Sequence, residues 1–232
     1  MSPASRRAPS SGNDGARRAL VGNPLSENNT IPAKIRKNLE EIRLAKDVIR
    51  SWRSLNDQEL STAVAKYDRA VRAERSQYYR ELFEDGEFAR LLLSIQKARP
   101  NDDKLTILVI SAIGNMLQRY GLQETSEIYD LMLSNARRNN VGPYVAIFLP
   151  RMRTFMASEE NKWDYFIGIK SLSPKKVAER SFEVVLDLYG DDIPEQHRGA
   201  VVQYLEKKMQ SANNEYGRQY YADFRNKVRQ NN

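Results

Sequence analysis

His197 is the only histidine in the chain, and cysteine is absent. A serine or cysteine nucleophile needs a histidine or an equivalent base beside it. His197 lies in "PEQHRGA", next to a predicted helix start, where an exposed or capping role is the ordinary one. Without cysteine there is no thiolate chemistry and no disulfide framework, which suits a reducing compartment. A zinc site would have to rest on carboxylates, a poor donor set for that ion. No GxxxxGK[ST] or GxGxxG motif occurs, so no loop is predicted to cradle a nucleotide. Acidic pairs stand at Glu84-Asp85, Asp102-Asp103, Glu159-Glu160 and Asp191-Asp192. Each falls at a predicted helix boundary, where capping and the helix dipole account for it. The expectation is a protein that is not an enzyme, with no cofactor, no metal and no small-molecule substrate.

Basic residues interleaved with aromatics are what remains. A nucleic-acid backbone is neutralised by several Lys or Arg contacts, and unpaired bases stack on aromatic rings. One such region runs from Lys34 to Arg53, with Arg43, Lys46, Arg50 and Arg53 beside Trp52. The second is "ARRNNVGPYVAIFLPRMRTF", where Arg137, Arg138, Arg151 and Arg153 bracket Tyr144 and Phe148, and Lys175 and Lys176 follow further on. The third runs from Lys207 to Arg229, with Tyr216, Tyr220, Tyr221 and Phe224. Arginine replaces lysine throughout the second region. Guanidinium binds phosphate bidentately and stacks on rings, which favours RNA or another single strand. Aromatics at helical spacing also serve as core, so the ring pattern is less specific than the charge pattern.

Helices must position these groups. Pro32 opens a basic amphipathic helix with Ile35, Leu39, Ile42, Ile49 and Trp52 on one stripe. Asn56 with Glu59 forms a capping box for a long helix, which the apolar period carries to about Phe83 through Tyr67, Val71 and Tyr78. A shorter helix through Phe88, Leu91, Leu92 and Ile95 stops before Pro100. Asn101 is the predicted cap of "LTILVISAIGNMLQRYG", which is apolar on nearly all sides and therefore central, with Gly121 as its C′ residue. The next helix covers roughly Thr125 to Arg138. Pro143 suits the first position of another, predicted as one buried helix kinked or broken near Pro150, presenting four guanidiniums to one groove. A buried strand is the alternative for its apolar run. Ser158 and Ser173-Pro174 are predicted to start two further helices, and "PEQHRGAVVQYLEKKM" supplies another.

The fold class is therefore all-α, about ten helices around one core. Residues 1–30 are poor in apolar side chains and read as a disordered basic arm. Residues 31–210 form the core domain, with a division into lobes near 139–143 left open. Residues 211–232 read as an aromatic and basic helical arm. Leu20 and Val21 at one end, with Tyr216, Tyr220, Phe224 and Val228 at the other, are the candidate oligomerisation residues.

The net charge of +7 is unevenly placed. Positive blocks at 31–53, 137–180 and 198–232 are separated by neutral or acidic segments, a pattern that attracts polyanions. No run approaches the roughly 18 apolar residues of a membrane span, and the arginine-bearing first residues, which lack an apolar h-region, are not expected to act as a secretory signal. Together these features predict a nucleic-acid-binding structural protein: a viral nucleoprotein or coat-like subunit, cytoplasmic or in a virion. It would coat single-stranded RNA through its backbone and assemble as a homo-oligomer through terminal arms. The alternative is a helical adaptor, chaperone or regulator for acidic protein partners.

Overall fold

The computed structural model describes residues 31–158 and 162–230. Among the described residues there are twelve α-helices and no strand, so the strand alternative for the apolar run falls. The basic arm, with Leu20 and Val21, lies outside them.

Helix α1 (Ala33–Arg50) buries Leu39, Ile42, Ala45 and Ile49 against α2 (Asp57–Ala73). The capping box that starts α2 is formed: Asn56 Oδ1 accepts from the Glu59 N–H, and Glu59 accepts from the Asn56 N–H. Such a cap contributes about 1 kcal/mol. The predicted long helix nevertheless ends at Ala73. Glu74 is extended, and a short 3₁₀ turn over Gln77–Tyr79 precedes α3 (Arg80–Phe83). The break rotates the chain so that Tyr79, rather than Tyr78, enters the core. Tyr79 then receives a hydrogen bond from Asn38 of α1 at 3.3 Å.

Asp85 caps α4 (Gly86–Ala98) and Asp102 caps α5 (Asp103–Asn115), each accepting a backbone N–H from three residues on. The cap of α5 is thus one residue later than predicted, with Asn101 outside it. Two of the acidic pairs are accounted for by these bonds. Helix α5 is the central element, packed on α2, α4, α6 (Ser126–Asn135) and α7 (Gly142–Val145). Val109, Ile110, Ile113 and Met116 are fully buried, each worth about 1.5–3 kcal/mol in transfer terms. Its last turn widens into a π-turn over Met116–Tyr120, and Gly121 closes it at φ +82°, a conformation that favours glycine.

The predicted kinked helix after Pro143 is more fragmented than expected. It comprises α7, a 3₁₀ turn over Leu149–Arg151 and α8 (Arg153–Ser158). Pro143 and Pro150 each occupy the first positions of a short helical piece, and the chain turns between them. The Phe148 ring lies on Gly114 of α5, where any side chain would collide with it. That close approach seats the fragment on the core.

Helices α9 (Lys162–Ile169), α10 (Lys175–Tyr189) and α11 (Glu195–Ser211) form the second half of the core around Phe166, Phe182, Val185 and Leu205. Pro174, not Ser173, takes the N-cap position of α10, and no side-chain cap bond is made there. The Ser173 carbonyl instead accepts from the Asn140 N–H at 2.8 Å. The proposed Ser158 cap lies outside the described side chains. Helix α12 (Glu215–Gln230) folds back along α11. It is a helix as expected, and it is docked on its own chain.

Candidate nucleic-acid interface

The cations chosen from the sequence separate into three groups once they are placed. Lys46 is buried, its side chain 4% exposed. Its Nζ donates to Asp85 Oδ2 at 2.7 Å and to the Leu82 carbonyl at 3.0 Å, over the Phe88 ring at 4.6 Å. Lys46 is therefore a core tie between α1 and the cap of α4, and its assignment to a nucleic-acid face is corrected. Burial pushes the Asp85 carboxyl up, but Lys46 and the Phe88 N–H prevail and hold it below its ordinary value. Arg138 is likewise engaged within the fold, bonded to Asp103, to Asn135 and to the Pro100 carbonyl. It ties the end of α6 to the start of α5.

Arg43, Arg50 and Arg53 are exposed on or just after α1. Arg50 pairs with Asp47 at 2.6 Å, a surface contact of small worth. Arg53 lies over the Trp52 ring at 4.8 Å, and Arg99 approaches the same ring at 5.4 Å. Trp52 itself is buried, so it stacks on guanidinium rather than on a base.

Arg151 and Arg153 reach a common cleft of about 690 Å³, which Arg80 also lines. Three pieces of structure build it: the start of α3, the π-turn with Gly121, and the Leu149–Arg151 turn running into α8. Glu124 fixes the α8 side, because its two carboxylate oxygens accept from the Arg153 and Thr154 N–H groups at 3.0 Å each. A carboxylate at a helix N-terminus is favoured by the dipole. Arg80 pairs with Glu84 at 2.8 Å. Arg151 donates to the Ile147 carbonyl at 2.6 Å, and among the described residues neither Arg151 nor Arg153 forms a salt bridge. Two guanidiniums are thus left facing a cleft whose carboxylates are already engaged.

The groove predicted for all four arginines does not form. Arg137 is exposed beside a separate small cleft with Asp164 and Tyr165, and Arg138 is tied to α5. Tyr144 is half-buried on α7 and does not line the arginine cleft. The helical turn between Tyr144 and Arg151 is broken, so face-sharing arguments fail across it.

Lys175 and Lys176 are exposed in the first turn of α10. Lys175 lines a second basic cleft of about 400 Å³ with Lys170, Lys207 and Lys208. Arg80, Lys170 and Lys207 line these clefts and were not among the candidates named from the sequence. Lys207 sits in the third basic block, which was the one sequence signal available for it. Lys170 lies within the 137–180 block, whereas Arg80 belongs to none of the positive blocks, and packing brings each to its cleft.

Of the predicted oligomerisation residues, Phe224 and Val228 pack within the chain. The Phe224 ring lies on Gly190 at the end of α10, and Val228 is buried. Tyr220 is partly exposed and donates to Asp187 at 2.7 Å. Burial, the bond to Asp187 and nearby acidic charge all push its phenol well above the usual range. Tyr216 is open to solvent, at 84% exposure. His197 pairs with Asp164 at 3.1 Å. Among the described residues no group of three or more His, Asp or Glu side chains is placed to hold a metal, and no helix is long and apolar enough to cross a membrane. Comparison with protein families, characterised proteins and solved structures finds no match to this chain.

Proposed function

We propose that this protein is a non-enzymatic, nucleic-acid-binding structural protein, a nucleoprotein or coat-like subunit that holds single-stranded RNA by its backbone. The observation that carries the reading is the cleft where the Arg151 and Arg153 guanidiniums form no salt bridge, while Glu84 is paired with Arg80 and Glu124 accepts from the backbone N–H groups of Arg153 and Thr154. Unpaired guanidiniums on a concave surface favour phosphate, since they bind it bidentately and release condensed counterions. No exposed ring lines this cleft, for Phe148 is packed on Gly114. Contact there is with phosphates rather than stacked bases, and binding is tolerant of sequence. Assembly would use the basic N-terminal arm and Tyr216, and the setting would be cytoplasm or virion.

Fluorescence anisotropy of a labelled single-stranded RNA, titrated over a range of salt, tests this. Log affinity should fall linearly with log salt. The Arg151→Ala/Arg153→Ala double variant should lower the slope by about 1.4, roughly 0.7 for each lost phosphate contact. No binding at low salt, with a protein-only absorbance ratio and a monomer elution volume, would sink the reading. A second reading, a module for protein partners, is favoured by one feature. Leu44 is 59% exposed and Val48 37% exposed beside a shallow groove between α1 and α2.

A further inference from the structure

We propose that the lysine cleft between the end of α9, the start of α10 and the C-terminal half of α11 binds a phosphate-bearing ligand, contacted by Lys170, Lys175 and Lys207. This site shares no lining residue with the arginine cleft and stands independently of the RNA reading.

Charge balance makes the case. Four lysines line the cleft against a single carboxylate, Glu179. Lys208 engages Glu179 at 3.0 Å and Glu183 at 3.2 Å. The Tyr204 and Tyr221 hydroxyls donate to Glu183 as well, at 3.2 and 3.0 Å. Lys208 and two phenols thus occupy these carboxylates with hydrogen bonds, and the cleft's four lysines still outnumber Glu179 and Glu183 by two charges. Lys170, Lys175 and Lys207 form no salt bridge among the described residues. Lys170 is half-buried, and its one hydrogen bond runs to the Ala200 carbonyl at 3.3 Å. Burial lowers its pKa, so a charge held there at a cost would be relieved by an anion.

Several features select phosphate among anions. Three ammonium groups on three different elements suit a group of charge near −2 with several peripheral oxygens, and lysine meets phosphate as a point charge. Lys175 is the first residue of a 15-residue helix, so unpaired N–H groups and the positive dipole end lie at the same edge. Ser171, Gln203 and Ser211 offer neutral donors around the rim. A volume of about 400 Å³ falls in the range of small-ligand sites. The phosphate could belong to an RNA backbone or to a free phosphorylated compound, and the experiment separates the two.

Isothermal titration of the full chain with inorganic pyrophosphate at low ionic strength is the test. Saturable one-to-one binding is expected, weakened about tenfold by Lys170→Met and by Lys207→Gln, the loss typical of one charge-assisted contact. Lys207 is exposed, so its variant keeps the fold and remains informative if Lys170→Met does not; melting curves check this. The Arg151→Ala/Arg153→Ala variant should bind pyrophosphate as the wild type does. Absence of saturable binding, or unchanged affinity in a folded Lys207→Gln variant, overturns the proposal and leaves RNA binding at the arginine cleft standing. Equal loss in the arginine variant overturns it too, since the titration would then report general charge. Titration repeated with saturating single-stranded RNA identifies the source. Displacement of pyrophosphate assigns the cleft to the polymer, and retention assigns it to a free phosphorylated compound; both results support the site.

Discussion

Lys46 on α1 and Lys170 after α9 are both lysines withdrawn from bulk water, and they meet opposite surroundings. Lys46 finds the Asp85 carboxylate, a carbonyl and an aromatic face, all supplied by sequence some 40 residues away. Lys170 finds a carbonyl and the Phe182 ring at 5.9 Å but no salt bridge, while Glu179 of its cleft is bonded to Lys208. The first is closed and structural. The second is left with charge to satisfy, and Arg151 and Arg153 share that condition in their own cleft. A cation becomes available to a ligand when the fold supplies it no carboxylate, whatever the density of positive charge in its local sequence.

The largest expected effect comes from breaking the closed pair. Lys46→Met leaves Asp85 partly buried without its counter-ion and should cost about 3 kcal/mol in denaturant unfolding, the range for removing one partner of a buried pair. RNA affinity per folded molecule and its salt slope should stay unchanged; a loss under about 1 kcal/mol or a changed slope would place Lys46 on the binding side of the comparison. Next in size is the docking of α12. Gly190→Ala drives a methyl into the Phe224 ring and the Leu186 carbonyl, and overpacking of this kind costs about 1–3 kcal/mol. Thermal melting should register it. A variant as stable as the wild type would show α12 to be loosely held, and so available as the exchanging arm that the aromatic spacing predicts.

The smallest effect is in acid. Asp85 has its folded-state pKa depressed, so it contributes stability above its unfolded value near 4 and loses it as pH falls through the depressed value. Unfolding free energy measured between about pH 5 and 2 should include this decline in the wild type. The decline should be shallower in Lys46→Met, where burial is no longer opposed by the ammonium. Parallel acid limbs in the two proteins would disconnect Asp85 from Lys46.

Helix type and most helix starts were legible before any packing was known. Asn56 with Glu59 lies next to its own apolar run, and a capping bond spans three residues, so local sequence carries it; at α5 the same reasoning missed by one residue, choosing Asn101 where Asp102 caps. Helix ends and breaks were less legible. The period through Tyr67, Val71 and Tyr78 continues smoothly past Ala73, yet the chain turns there to bury Tyr79 beneath α1. Likewise the regular spacing of Phe224 and Val228 marked an apolar face correctly without revealing that its partner is the same chain's α10 and α11.

Of the candidate site, the sequence located blocks of positive charge but not how the fold would pair them. Apolar periodicity and local caps determined an all-α chain, and residue order determined its blocks of positive charge, because these follow from residue types and from contacts a few positions apart. Which cations are left without a carboxylate was decided by tertiary structure alone. Lys46, Arg138 and Lys208 are paired with carboxylates brought from other helices, while packing leaves Lys170 in a cleft with no salt bridge and brings Arg80 to its cleft already paired with Glu84. Coulombic pairing depends on distance in space, and spacing along the chain fixes that distance only within one helix.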